Sequence, residues 1–207
     1  MTDKVNGEWG ATMNEKFFDL KKEKQDRMIN AALKVFGENG YKRASTDEMV
    51  KEAEISKGLL FHYFISKQGL YEFVFDYSIR YMTMELSIVA NSKETNYFEL
   101  YKQILLAKMS VLKIYPDMQK FLNSVMQENQ QELPLDIVQK RYDFQEYYRG
   151  ILGKADFERF LPEIDIEKMN NMMEYTINGL MEEYIDPERM VEEAIGYLSM
   201  MEKICLK

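Results

Sequence analysis

A single cysteine, Cys205, and a single histidine, His62, in a chain of 207 residues remove several kinds of chemistry at once. One thiol cannot close an intramolecular disulfide, and one imidazole cannot build a Cys/His metal cluster, so neither a metal nor a cofactor is expected. The sequence shows no nucleophile-base pair, no phosphate-cradling glycine loop and no H-E-x-x-H. It therefore does not read as an enzyme, and no catalytic residue is assigned. No window approaches the run of about eighteen apolar residues that a membrane span needs, and the first residues lack the apolar stretch of a signal peptide. The expectation is a protein of the reducing cytoplasm with no membrane contact. Glycine (10) and proline (4) are also scarce, and Pro116, Pro134, Pro162 and Pro187 punctuate the second half at helix-length intervals.

What is present suits a packed helical chain. Apolar residues make up 46% of the sequence, enough for a sizeable core. The net charge of -8 is unevenly spread: residues 1–70 hold twelve lysines and arginines against eleven acids, and the remainder holds fifteen against twenty-four. The N-terminal third is thus near neutral, with a local basic set of Lys42, Arg43, Lys51, Lys57 and Lys67 that could meet phosphates. Helical periodicity runs throughout and no alternating strand pattern persists.

The stretch Ser45 to Lys67, S-T-D-E-M-V-K-E-A-E-I-S-K-G-L-L-F-H-Y-F-I-S-K, reads as two short helices joined by a tight turn. Ser45 followed three residues later by Glu48 predicts a capping box, and Ser56 with Ile55 before it predicts a second helix start. In the second helix Leu60 and Phe64 lie four apart and point inward, leaving Lys57, Leu59, Phe61, His62 and Tyr63 largely outward. Cationic, imidazole and aromatic groups at the tip of a two-helix corner suit a reader of the DNA major groove. Before this pair, a helix is expected from about Asp26 to Asn39 with Ile29, Ala32, Leu33 and Phe36 on one face and Gly40 as its stop. After it, Ser66 caps a helix from Lys67 to about Ala90, and further helices are expected over Tyr97–Tyr115, Pro116–Asn129, Pro134–Leu152, Ile166–Ile185 and Pro187–Ile204. The last two carry broad apolar faces, whose surplus is most simply a homodimer interface over about residues 166–204.

From about Asp26 to Tyr71 the residues resemble the tetracycline-repressor-like (TetR) family of one-component bacterial transcriptional regulators. The matching features are Gly40-Tyr41 at a helix end, Ser45-Thr46, the A-x-I-S-K-G turn at Ala53 to Gly58, and L-F-H-Y-F-x-S-K at Leu60 to Lys67. The resemblance implies an all-α fold. An N-terminal three-helix helix-turn-helix domain (21–66) follows a flexible tail (1–20), and a long helix joins it to a C-terminal helical ligand-binding and dimerisation domain (67–207). It also implies a repressor that binds a palindromic double-stranded DNA operator as a dimer and is released by a small, largely apolar effector. Ser45, Thr46, Lys57, Gly58, Leu59, Phe61, His62, Tyr63 and Lys67 are the implied DNA-contacting positions. Glu54, Leu59 and Phe61 depart from the family's usual glycine, threonine and tyrosine. Candidate effector-lining residues are Tyr71, Phe75, Tyr101, Phe121, Met126, Tyr142, Tyr147 and Tyr175. A second reading is a helical protein-interaction module with a degenerate DNA-binding head.

Overall fold

The apolar stripe Ile29, Ala32, Leu33 and Phe36 folds as expected into the buried face of the first helix, α1 (Lys22–Arg43), with all four side chains at 1% exposure or less. The structure, a computed structural model, describes residues 13–183 and 186–207, apart from the side chains of residues 132 and 182. The loose tail expected over residues 1–12 and the helix end at residues 184–185 lie outside the described residues. The helices after α1 are α2 (Thr46–Glu52), α3 (Lys57–Phe64), α4 (Lys67–Ala90), α5 (Tyr97–Leu112), α6 (Met118–Gln127), α7 (Leu135–Leu152), α8 (Ile166–Glu183) and α9 (Pro187–Cys205). Among the described residues there is no strand, only an isolated bridge between Phe160 and Leu206. The all-α fold read from the periodicity is the fold observed.

The chain divides into two compact units, residues 1–85 with 111–146 and residues 86–110 with 147–207. The division does not fall at residue 66/67. The first five turns of α4, all of α6 and most of α7 belong with the three N-terminal helices. A seven-residue and an eight-residue helix expose more apolar surface than they cover, so α1 to α3 complete their core on neighbours. In the first unit Tyr71 of α4 meets Phe36 of α1 at 4.9 Å between ring centres and Phe121 of α6 at 5.6 Å, all three essentially inaccessible.

Gly40 ends the regular part of α1 in the way expected of a stop. Its φ of 68° breaks the helix, and one further turn continues to Arg43. Glu128, at the end of α6, holds this break. Its Oε1 accepts the Tyr41 N–H at 3.0 Å and the Tyr71 hydroxyl at 3.3 Å. A Cβ on Gly40 would stand 3.3 Å from the same oxygen, so both backbone conformation and space favour glycine there. Arg141 of α7 reinforces the loop by donating to the Val125 and Glu128 carbonyls at 3.1 and 3.0 Å.

Two expectations need correction. The flexible tail assigned to residues 1–20 is not loose over its second half. Residues Glu15–Asp19 form a 3-10 turn capped by Asn14, and Phe17 is fully buried against Tyr63, Phe64 and Phe73 at ring distances of 5.7, 5.1 and 5.3 Å. The Asn14 N–H also donates to the Tyr63 carbonyl at 2.7 Å. The Ser45 capping box does not form either. Ser45 is the N-cap of α2, but its side chain makes no capping hydrogen bond. In contrast Ser56 accepts the Leu59 N–H at 3.2 Å, Ser66 accepts Gly69 N–H at 3.0 Å and Asp186 accepts Glu188 N–H at 3.0 Å.

In the second unit α8 and α9 pack against each other, and Met169, Met173, Ile177 and Leu180 on one helix and Met190, Ala194 and Leu198 on the other are all buried. The Lys154 ammonium closes the end of α4 by donating to the carbonyls of Val89, Ala90 and Ser92 at 2.9–3.1 Å. Phe17→Ala should lower the unfolding free energy by about 3 kcal/mol, the cost of emptying a filled aromatic site. Urea denaturation checks this, and a change below about 1 kcal/mol would mean that the turn is not part of the core.

Candidate DNA-reading head and a tyrosine cluster

α2 and α3 are joined by a turn whose hydrogen bonds define it. The Ile55 N–H donates to the Val50 carbonyl at 3.0 Å and the Glu54 N–H to the Lys51 carbonyl at 3.2 Å. This 6→1 and 5→2 pair is the Schellman arrangement, with Glu54 in the position after the C-cap at a φ of 53°. Glycine occupies that position most easily because a side chain there is strained. At the other end of α3, Ile65 adopts φ 56° and ψ -47°, and the Ser66 N–H donates to the Phe64 carbonyl across it. These angles describe a γ-turn with positive φ, a strained form, here carried by a β-branched and largely exposed residue.

Ser45, Lys57, Gly58 and His62 are exposed, and Thr46, Leu59, Phe61 and Lys67 are half-buried. Nothing lies within 4 Å of a Cβ built on Gly58, so α3 presents an open surface there. Lys57 forms an exposed ion pair with Asp47 at 2.8 Å, a contact weak enough for a phosphate to replace. Tyr63, expected to face outward, is 8% exposed and packs on Phe17, because the docked N-terminal turn covers that side of α3. Lys67 is committed to protein carbonyls. Its ammonium donates to Lys42 and Ala44 at 3.2 and 3.1 Å and lies 5.0 Å from the Tyr41 ring centre, so it ties the start of α4 to the end of α1.

The eight candidate lining residues do not share one unit. Tyr71, Phe75, Phe121, Met126 and Tyr142 belong to the first, and Tyr101, Tyr147 and Tyr175 to the second. Tyr71, Phe75 and Phe121 are fully buried, Met126 is half-buried and Tyr142 is exposed. Burial, and then the Glu128 carboxylate, raise the Tyr71 hydroxyl above its ordinary pKa. In the second unit Tyr101 is buried, Tyr147 half-buried and Tyr175 exposed.

The sequence reading missed the neighbours of Tyr101. Tyr97 and Tyr101 are one turn apart on α5, with Lys108 two turns further on, and the Lys108 ammonium lies 4.7 Å from the ring centre of Tyr148 on α7. On α8, Asn170 accepts the Tyr97 hydroxyl at 2.6 Å and donates to Glu174 at 3.5 Å. Burial raises the Tyr101 and Tyr148 hydroxyls, and the surrounding protein lowers the Lys108 ammonium from its ordinary value. One signal could have found Lys108: it is a lone cation within the apolar run I-L-L-A-K-M at 104–109.

Residues 28–74 match the family described as bacterial regulatory proteins, tetR family. Among curated proteins the chain is 47% identical over 49 residues to the HTH-type transcriptional regulator YuxN of Bacillus subtilis, covering 24% of this chain and 17% of that protein. It is 48% identical over 44 residues to the HTH-type transcriptional regulator UidR of Escherichia coli, covering 21% and 22%. The match thus spans about a fifth of the length of these relatives. A solved TetR-family transcriptional regulator from Chloroflexus aurantiacus shares the fold over 95% of this chain and all of its own, with a TM-score of 0.68 at 19% identity.

Replacing Glu54 or Ile65 by glycine removes a strained φ at either end of α3 and should raise stability by about 1 kcal/mol each. Urea midpoints check this. Unchanged or lower midpoints for both variants would mean that neither turn stores strain.

Proposed function

We propose that this chain, which belongs to the TetR family of bacterial regulatory proteins, is a cytoplasmic transcriptional regulator, not an enzyme, that binds a palindromic operator as a homodimer and is released by a small molecule. The observation that carries the reading is the exposed face of α3, a capped helix presenting Lys57, Gly58 and His62 inside the region that matches the family. Two such helices in successive major grooves must stand about 34 to 36 Å apart, which a two-fold dimer provides. Self-association is supported by large apolar side chains left exposed on the last two helices: Met172 and Tyr175 on α8, and Tyr197, Met200 and Ile204 on α9. The last three recur at i, i+3 and i+7, one stripe of the helix.

Release follows if an effector favours one spacing of the two heads over another, which requires different affinity for the two arrangements. α4 is the continuous element available for this. It begins next to the reading helix and ends in the second unit. The second reading, an interaction module with a degenerate head, is favoured by the pairing of three cations of the head with acids: Arg27 with Glu54, Lys34 with Glu52, and Lys57 with Asp47. Selection of binding sites from random DNA separates the two: an enriched palindrome supports the regulator, and no enrichment supports the module.

On the selected site, Lys57→Ala should weaken binding and reduce the slope of log affinity against log salt by about one contact, whereas Lys67→Ala should also lower thermal stability through its lost carbonyl contacts. Unchanged slopes in both variants would remove the contact assignment. Paired Tyr197→Asp and Met200→Asp substitutions should shift the protein to monomer in sedimentation and weaken operator binding at least tenfold. A dimer that survives them places the interface elsewhere.

A further inference from the structure

We propose that Phe17 is a positioning residue for DNA reading: by docking the N-terminal turn on α3 it fixes the Tyr63 ring on which His62 rests, and with it the base-reading end of the helix. Its consequence at DNA rests on the regulator reading given above, whereas the docking itself does not. Phe17 lies ahead of residues 28–74, so the residue that sets this part of the reading face stands outside the stretch that matches the family.

α3 has little of its own to hold it. Of its eight residues only Leu60, Tyr63 and Phe64 are buried, and Phe17 meets the last two at ring distances of 5.7 and 5.1 Å. The same ring meets Phe73 of α4 at 5.3 Å, and Phe73 meets Phe64 at 5.0 Å. Phe17, itself fully buried, thus packs on both sides of the strained corner at Ile65, before it on α3 and after it on α4. A backbone in a sparsely populated region persists only where its surroundings over-determine it. The N-terminal turn is one such restraint.

The turn is anchored independently of the ring. Gln25 of α1 donates to the Phe18 and Leu20 carbonyls at 3.1 and 2.7 Å, and the Phe17 N–H donates to the Asn14 carbonyl at 2.9 Å. From this base the Asn14 N–H reaches the Tyr63 carbonyl at 2.7 Å. That carbonyl belongs to the last turn of α3, where C=O groups run out of partners within the helix. One segment therefore closes the end of the reading helix, fills its inner face and refers both to α1.

The outward consequence passes through Tyr63. The exposed His62 imidazole lies edge-on to the Tyr63 ring, 5.0 Å between centres at 73°, and Tyr63 lies edge-on to Phe17 at 72°. Emptying the Phe17 site leaves Tyr63 free to turn and removes the support that fixes His62. Lys57, at the other end of α3, pairs with Asp47 of α2 instead. Phosphate contacts position a protein on DNA, whereas base contacts specify the sequence. Loss of Phe17 therefore costs sequence discrimination before it costs general affinity for DNA.

The test compares the full chain with Phe17→Ala, Phe17→Leu and a destabilised control, Ile137→Ala, which empties a buried site of α7 in the same unit. Circular dichroism confirms that each variant is folded. In amide hydrogen exchange, Phe17→Ala should accelerate Tyr63 to Ser66 about tenfold more than the amides of α6, whereas Ile137→Ala should not single out the end of α3. On the site selected from random DNA, Phe17→Ala should lose affinity about tenfold, with binding to a scrambled duplex within about twofold of the parent and the salt slope unchanged. Phe17→Leu should keep most of the affinity. Phe17→Ala combined with His62→Ala should cost less than the product of the two single losses, and combined with Lys57→Ala the full product. Equal acceleration in α3 and α6, equal losses on selected and scrambled DNA, or Phe17 and His62 losses that multiply in full would each overturn the positioning role. If no site is enriched at all, the DNA-binding reading fails and takes this role with it, while accelerated exchange at the end of α3 would still establish the docking.

Discussion

A three-helix head whose second and third helices have seven and eight residues cannot bury its own apolar surface, and this shortage organises the first unit. The missing core comes from three directions. Tyr71 and its neighbours on α4 fill the space beside Phe36, α6 supplies Phe121, and the N-terminal turn brings Phe17 against Tyr63 and Phe64. The packing boundary consequently lies well past the end of α3. A DNA-reading element can thus be short and exposed on one side while its position is fixed by elements outside the reading pair.

Polar contacts follow the same logic. The Lys67 ammonium and the Glu128 carboxylate both act on the end of α1, one through the carbonyls of Lys42 and Ala44 and the other through the Tyr41 N–H. These are the groups left without partners when Gly40 interrupts the helix, and satisfying them from α4 and α6 holds the chain rigid where it enters the reading pair. Lys67, which the resemblance implies as a DNA contact, is also a structural tie in the fold.

The helices were legible because their apolar period is strong. α4 begins and ends at the residues expected, and Ser56, Ser66 and Asp186 cap as their positions predict. Less legible were features with no period to betray them. Phe17 lies in a five-residue turn flanked by charge, and nothing local says that its ring is buried. Tyr63 alternates with outward residues on α3 and is turned into the core only because that turn docks on it. The Ser45 box failed because matching residue types do not guarantee the side-chain geometry. In the second unit the aromatic abundance was visible, but that Tyr148 meets Lys108 and Tyr97 meets Asn170 depends on α5, α7 and α8 coming together. That long-range event leaves only a lone cation in an apolar run as its trace.

The two strained corners at Glu54 and Ile65 bear on how motion passes through the head. A residue with a side chain in the left-handed region has a narrow well, narrower still for a β-branched one, so each corner resists bending in either direction. The reading helix is therefore held between two stiff joints, and torque applied along α4 reaches it with little slack. A glycine at either corner would be more comfortable and more compliant, absorbing as local twist the displacement that a stiff corner would transmit.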